Sequence, residues 1–206
     1  LNSHTTATLK LNGWSNEVTE VSNLRGEIKT RSIYIHPNKG VIKHLGLHWA
    51  GNRIMFSGKG KNGRWAVMDI DENGKDLREL TPSDQPDVDW FDACYLPEDG
   101  HIITCSTAGM QGLPCENGGK PMVNIYRVNT KTKQVRQLTF EQDSDWHPRV
   151  LPNGKVMYLR WEYTDTPHYF SRYLSHMNPD GTNHRAYYGS GSVWPNSTFY
   201  SRPIPG

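Results

Sequence analysis

The sequence predicts an all-β fold assembled from repeated four-stranded units, and three observations carry that expectation. First, Asp-x-Asp-Trp occurs twice, as Asp87-Val88-Asp89-Trp90 and Asp143-Ser144-Asp145-Trp146, with the two tryptophans 56 positions apart. Second, a strand-like alternation that closes on Leu-Thr also recurs. Val67-Met68-Asp69-Ile70-Asp71 through Leu80-Thr81 matches Ile125-Tyr126-Arg127-Val128-Asn129 through Leu138-Thr139 at an offset of 58. Third, the 206 residues are only 35% hydrophobic but contain 7 Trp, 10 Tyr, 19 Gly and 13 Pro. Large rings rather than aliphatics must then fill the core, and there is little material for long amphipathic helices.

In chain order, residues 1–40 match the units least. Ala7-Thr8-Leu9-Lys10-Leu11 and Arg31-Ser32-Ile33-Tyr34-Ile35 read as strands, so this region is expected to form divergent strands or a partial blade ahead of the units in 41–206. His48 through Phe56 lines up with the turn and strand of Pro152 through Tyr158. After each Asp-x-Asp-Trp an apolar segment runs to Leu-Pro (Leu96-Pro97 and Leu151-Pro152). A glycine turn and a second strand follow, in Gly100-His101-Ile102-Ile103-Thr104 and Gly154-Lys155-Val156-Met157-Tyr158. The Met-Asp-Ile and Tyr-Arg-Val alternations supply a third strand, and Leu-Thr ends a fourth. Asn73-Gly74 and Asn153-Gly154 are hairpin-turn signals because both residue types tolerate positive φ. Val193-Trp194-Pro195 opens a further unit that is incomplete at Gly206. Four-stranded units with aromatic and glycine markers are the signature of β-propeller blades. About three blades plus partial blades fit here, against the usual ~4–8 that close a ring. The expectation is therefore part of a larger propeller, completed by the remainder of a longer chain or by other subunits.

Charge narrows the partners. There are 23 Lys and Arg against 21 Asp and Glu, dispersed along the chain, for a net charge of +2. No basic run points to nucleic acid, and no apolar stretch approaches the ~18–20 residues of a membrane span. Cys105 and Cys115 bracket the Gly/Pro-rich stretch Ser106 through Pro114, so a disulfide between them would staple that loop, whereas Cys94 reads as a buried thiol. A loop disulfide suits a periplasmic or extracellular protein. No Cys-x-x-Cys-His occurs in the sequence, so no covalent haem of the ordinary c-type is expected on this chain.

The unit resembles the WD40-like repeat of TolB-type propellers. Trp146 through Tyr158, Met68-Asp69-Ile70-Asp71-Glu72-Asn73-Gly74, Arg78-Glu79-Leu80-Thr81 and Arg136-Gln137-Leu138-Thr139 carry that resemblance. A narrower one covers about residues 85–206. Asp89 through Pro97, Cys105-Ser106-Thr107-Ala108-Gly109, Trp161 through Arg172 and Arg202-Pro203-Ile204-Pro205-Gly206 are similar to the propeller of hydrazine synthase alpha-subunit-like proteins. That resemblance implies an exported bacterial propeller. The best-known member of the family makes hydrazine from nitric oxide and ammonium at a c-type haem, and the motif that haem needs is missing here, so the chemistry is not carried over.

Two sets of residues are candidates for function. Residues that open the inner strands of successive blades gather around the central channel. Asp87, Asp89, Asp143 and Asp145 are thus candidate oxygen ligands for calcium, or, with His48 and His147, for one transition metal. The competing reading is that these acids cap turns or hold neighbouring blades in register, and their recurrence favours it. His44 and His48, four apart in an apparent strand, would face one side. The second set lies in the least repeat-like stretch, Arg160 through Arg172, where Glu162, Asp165 and His168 offer acid–base groups and Arg160 and Arg172 anion clamps; the competing and slightly favoured reading is a packed loop whose Arg and Glu pair with each other. Two functions follow: a scaffold or binding platform within a larger exported protein, or a metal-dependent enzyme, oxidoreductase or saccharide-active, at the channel mouth. A small molecule or a saccharide is the ligand class in either case.

Overall fold

The computed structural model describes residues 9–98, 100–162, 172–191, 194 and 197–204, with the Cys115 side chain left aside. A two-stranded hairpin, β1 (Glu17–Ser22) and β2 (Lys29–Ile35), precedes three four-stranded antiparallel sheets. The first blade is β3 (Lys43–Leu47), β4 (Arg53–Lys59), β5 (Trp65–Asp71) and β6 (Arg78–Glu79). The second is β7 (Trp90–Tyr95), β8 (His101–Ser106), β9 (Asn124–Asn129) and β10 (Val135–Gln137). The third is β11 (Ser144–Val150), β12 (Val156–Trp161), β13 (Tyr173–Met177) and β14 (Arg185–Tyr188). Each sheet is a simple meander, and the innermost strands β3, β7 and β11 neighbour one another in turn. This is the expected propeller arc of three blades.

The repeats recur as bonds, not only as letters. Leu80 and Leu138 donate to the carbonyls of Val67 and Ile125, each at 2.8 Å. The N–H groups of Val67 and Ile125 in turn donate to Thr81 Oγ1 (3.2 Å) and Thr139 Oγ1 (2.9 Å). The Leu-Thr signal therefore marks where each fourth strand closes onto the third. At the two Asn-Gly turns only the glycine takes positive φ, 76° at Gly74 and 79° at Gly154. Asn153 Oδ1 instead accepts the N–H of Lys155 at 3.1 Å, an Asx turn.

Every inner strand carries a bulge at the same place, between Lys43 and Gly46, Phe91 and Cys94, and Trp146 and Arg149. In each bulge one residue adopts left-handed φ: His44 (57°), Asp92 (50°) and His147 (54°). Asp and His are among the few side chains that tolerate this region. Alignment on the bulges corrects the 56-residue match. Trp146 stands where Phe91 does, Asp145 where Trp90 does, and Ser144 where Asp89 does. A slip of one residue sends a strand's side chains to the opposite face. Trp90 accordingly points between the first and second blades, edge-on to Tyr126 at 5.5 Å, while Trp146 stacks on Trp161 at 6.1 Å in a different cluster.

Interblade cores are aromatic and β-branched, as the composition requires. Met55, Val67, Trp90, Ile102 and Tyr126 fill the first junction, and Ile103, Ile125, Val156 and Tyr158 the second. The hairpin covers the far face of the first blade through Val18, Ile33 and Tyr34 against Ile54, Phe56 and Ile70. It comes so near the β5–β6 turn that a Cβ on Gly74 would lie 2.1 Å from the Ile33 carbonyl oxygen. Residues 9–11 of the expected first strand are not in a strand. Leu9 and Leu11 pack into the core beside Trp14, and the Leu11 carbonyl accepts the Val41 N–H at 3.0 Å.

The expected Cys105–Cys115 bridge does not form: Cys105 is a free, fully buried thiol. It lies on β8, aimed into the core, with Sγ 3.9 Å from the Asp145 carbonyl. The loop after β8 is closed by backbone bonds instead, Leu113 to Lys120 (2.9 Å) and Met122 to Gln111 (2.8 Å). Among the described residues no helix is long and apolar enough to cross a membrane. The Val193-Trp194-Pro195 opening of a fourth unit lies largely outside the described residues.

The C-terminal segment returns across the arc. Ser197 bridges to Arg172 at the start of β13, and Thr198 N–H donates to the Arg172 carbonyl at 3.1 Å. The Tyr200 ring lies 4.1 Å from that of His147, and Arg202 Nη2 donates to the Leu45 carbonyl of the first blade at 3.0 Å.

Candidate functional site

The three left-handed bulge residues, one from each blade, meet at the centre of the arc. Asp92 is the hub and is 1% exposed. Its Oδ2 pairs with His147 Nδ1, and its Oδ1 accepts Arg149 Nη2 at 2.9 Å. The Asp92 N–H donates to Ser57 Oγ at 2.9 Å, and the same oxygen lies 3.1 Å from His44 Nδ1. The Ser57 hydroxyl thus links the Asp92 backbone to the His44 imidazole, tying the bulges of the first and second blades through β4.

The electrostatics follow from that packing. Burial opposes ionisation of Asp92, but the Arg149 charge, the His44 ring and the His147 hydrogen bond outweigh it and hold the carboxyl well below the usual range. Burial drives the His44 imidazole down to about 4 despite the pull of Asp92, so it is neutral at pH 7. Burial likewise lowers Lys43, and Asp92 opposes the shift. Arg149 is raised by Asp92 against the effect of its own burial.

Beside this cluster a cleft of about 390 Å³ opens among all three blades and the C-terminal segment. Leu45 and Leu47, Trp49, Tyr95, Arg149 and Arg202 form its walls. Trp49 is 60% exposed but held, because its Nε1–H donates to the Tyr95 carbonyl at 3.2 Å.

The expected metal ligands are not gathered here. Asp89 accepts the Trp65 N–H at 3.1 Å and pairs with Arg64 at 2.5 Å, tying the second blade to the first. Asp145 takes both Nε (3.0 Å) and Nη2 (3.1 Å) of Arg160 within its own blade. Burial raises both carboxyls even so, against Trp65 and Arg64 for Asp89 and against Arg160 for Asp145. His48 lies elsewhere, accepting the Ala50 N–H at 3.2 Å, edge-on to Tyr95, and lining a separate hollow of about 230 Å³ with Arg53, Asp69 and Arg78. Among the described residues no three His, Cys, Asp or Glu side chains are placed to hold a metal ion. The slip of one residue is the reason: Asp89 and Asp145 face opposite ways, each toward a guanidinium that neutralises it.

Of the second set, Asp165 and His168 lie outside the described residues. Glu162 faces Arg160 at 3.6 Å, and buried Arg172 lays its guanidinium 4.1 Å from the centre of the Trp161 ring. Arg149, Tyr200 and Arg202 also belong to the site, although no sequence motif marks them. A signal for the cluster was present: Asp92 stands four residues before Leu96, and His147 four before Leu151. Alignment on Leu-Pro rather than on Trp superposes them.

No family model and no curated protein sequence matches the chain. Solved structures do. Hydrazine synthase from Kuenenia stuttgartiensis superposes with a TM-score of 0.64 at 15% identity, over 80% of this chain and 28% of that one. TolB from Acinetobacter baumannii gives 0.55 at 16% identity, over 82% and 40%. A puromycin hydrolase gives 0.55 at 15% identity, over 86% and 25%. The chain thus spans well under half the length of these structures. At such identities the likeness shows the fold alone, and that fold is a partial β-propeller similar to those of TolB and hydrazine synthase.

Proposed function

We propose that the chain is a module of an exported bacterial propeller protein, a binding platform within a longer chain or complex, with its ligand cleft where the three inner strands meet. The observation that carries this reading is how the repeated acids are used. Asp89 and Asp145 are both consumed by ion pairs, one between blades and one within a blade, while the cleft beside Asp92, His147 and Arg149 is walled by all three blades. Export is supported by the resemblance of the repeat to TolB-type and hydrazine synthase propellers. Elemental analysis of the purified protein, offered calcium, manganese, iron, copper and zinc and then washed with chelator, tests the platform reading. Substoichiometric metal is expected.

A second reading, an enzyme, is favoured by one observation: the Asp92–His147 pair is the arrangement that holds an imidazole in one tautomer for proton transfer. One tightly held transition metal per chain, lost on substitution of Asp92 or His147, would overturn the platform in its favour.

A further inference from the structure

We propose that the cleft between β3, β7, β11 and the C-terminal segment binds a small organic carboxylate, its charge held by Arg202 and Arg149 and its apolar body against Leu47 and Trp49. This rests on the platform reading above and names the ligand class.

Three features point to an anion with an apolar body. The first is unbalanced charge. Arg149 shares one carboxylate, Asp92, with His147. Among the described residues Arg202 has the Leu45 carbonyl as its hydrogen-bond partner, and no carboxylate stands within ion-pair distance of it. Two guanidiniums thus line the cleft and, among the described residues, no carboxylate does, while Asp92, buried behind Arg149, also has Lys43 near it. The resulting tension is felt at Arg202, whose guanidinium is lowered by desolvation and then by the Arg149 charge. A bound carboxylate relieves it with charge-assisted hydrogen bonds.

The second is apolar exposure at the same place. Leu47 is 71% exposed and Leu45 46% exposed, next to Trp49. Large apolar side chains left in water around one concavity mark a binding surface rather than random exposure. The third is preorganisation. The Trp49 ring is fixed by its bond to the Tyr95 carbonyl, and Arg202 by its bond to Leu45, so little side-chain freedom remains to be lost on binding. A volume near 390 Å³ suits a ring-sized or short-chain acid.

The test uses benzoate and hexanoate as probes, benzamide and hexanamide as their neutral counterparts, and inorganic phosphate as a plain anion. Binding is read by Trp fluorescence and titration calorimetry. The acids are expected to bind with 1:1 stoichiometry, and the amides and phosphate at least roughly tenfold more weakly. Arg202→Gln, an exposed change that leaves the Asp92 cluster intact, is expected to weaken the acids about tenfold or more, with a fall in stability of no more than the ~1 kcal/mol that one lost hydrogen bond to Leu45 accounts for. Trp49→Ala should weaken acids and amides alike. Equal binding of acid and amide, an Arg202→Gln variant that binds as well as the parent, phosphate binding as tight as benzoate, or no acid binding would each overturn the proposal. Stoichiometric metal in the elemental analysis, with acid binding still dependent on Arg202, would overturn the platform reading alone.

Discussion

Ser144 and Asp89 do the same job in successive blades. Asp89 Oδ1 accepts the N–H of Trp65 at 3.1 Å, and Ser144 Oγ accepts that of Val123 at 3.2 Å, each at the head of the third strand of the blade before. One latch is charged and paired with Arg64, and the other is neutral. Ser144→Ala is expected to cost about 1 kcal/mol and Asp89→Ala about 1–3 kcal/mol in urea denaturation. Asp89→Ser should recover part of the loss, because a hydroxyl serves at the equivalent place.

Arg160 is the only guanidinium at the buried Asp145 carboxylate among the described residues, and it binds both oxygens. Arg160→Ala leaves that charge buried and uncompensated, and a loss of about 3–5 kcal/mol is expected. Replacement of both, Asp145→Leu with Arg160→Met, should cost much less than the sum of the single changes. Neither calcium nor chelator should move the melting temperature of the parent. A large shift would return Asp145 to the role of a metal ligand.

Asp92→Asn keeps a side chain that accepts left-handed φ while removing the charge between Arg149 and His147. A loss of about 3 kcal/mol or more is expected, because Arg149 is then a buried, unpaired cation. The variant should also resist acid better than its own neutral-pH stability suggests. The Asp92 carboxyl is held below its unfolded value, so its contribution is present above about pH 4 and lost as pH falls further. Melting temperatures from pH 3 to 7 check both statements.

His44 gives a separate acid dependence. Its folded value is about 4, against ~6.5 unfolded, so between these limits the unfolded chain binds the extra proton and stability falls as pH falls. His44→Asn, which also tolerates the left-handed bulge, should flatten the melting curve between pH 6.5 and 4. An unchanged slope would contradict a neutral, part-buried His44.

Gly74→Ala should loosen the hairpin specifically. The position needs a φ of 76° and leaves no room for a Cβ beside the Ile33 carbonyl. A cost of about 1–3 kcal/mol is expected. Hydrogen exchange should accelerate in β1 and β2 before it does in the three blades.

Most of the architecture was legible because it is written locally. Leu-Thr ends, glycine turns and β-branched second strands each depend on a few adjacent residues, and each lies where its pattern placed it. The central cluster was harder to read. Its members are ordinary residues until the bulges align them, and a bulge leaves no letter of its own. Asp-x-Asp-Trp misled for the same reason: two similar words slipped by one residue against the strand periodicity, so identical side chains face opposite ways. Arg202 was beyond any local pattern, since its partner Leu45 is 157 residues away.

Residues 197–202 run from the bridge at Arg172, past the His147 ring, to the Leu45 carbonyl. Six residues reach at most about 20 Å even when fully drawn out. That segment is a bowstring across the arc: it caps how far the first and third blades can be prised apart without snapping the Arg202 tie. Under the proposed reading, a ligand of the cleft must fit an opening no wider than that span allows. The proposed binding would then select by girth through the length of a tether, before any contact with the guest is made.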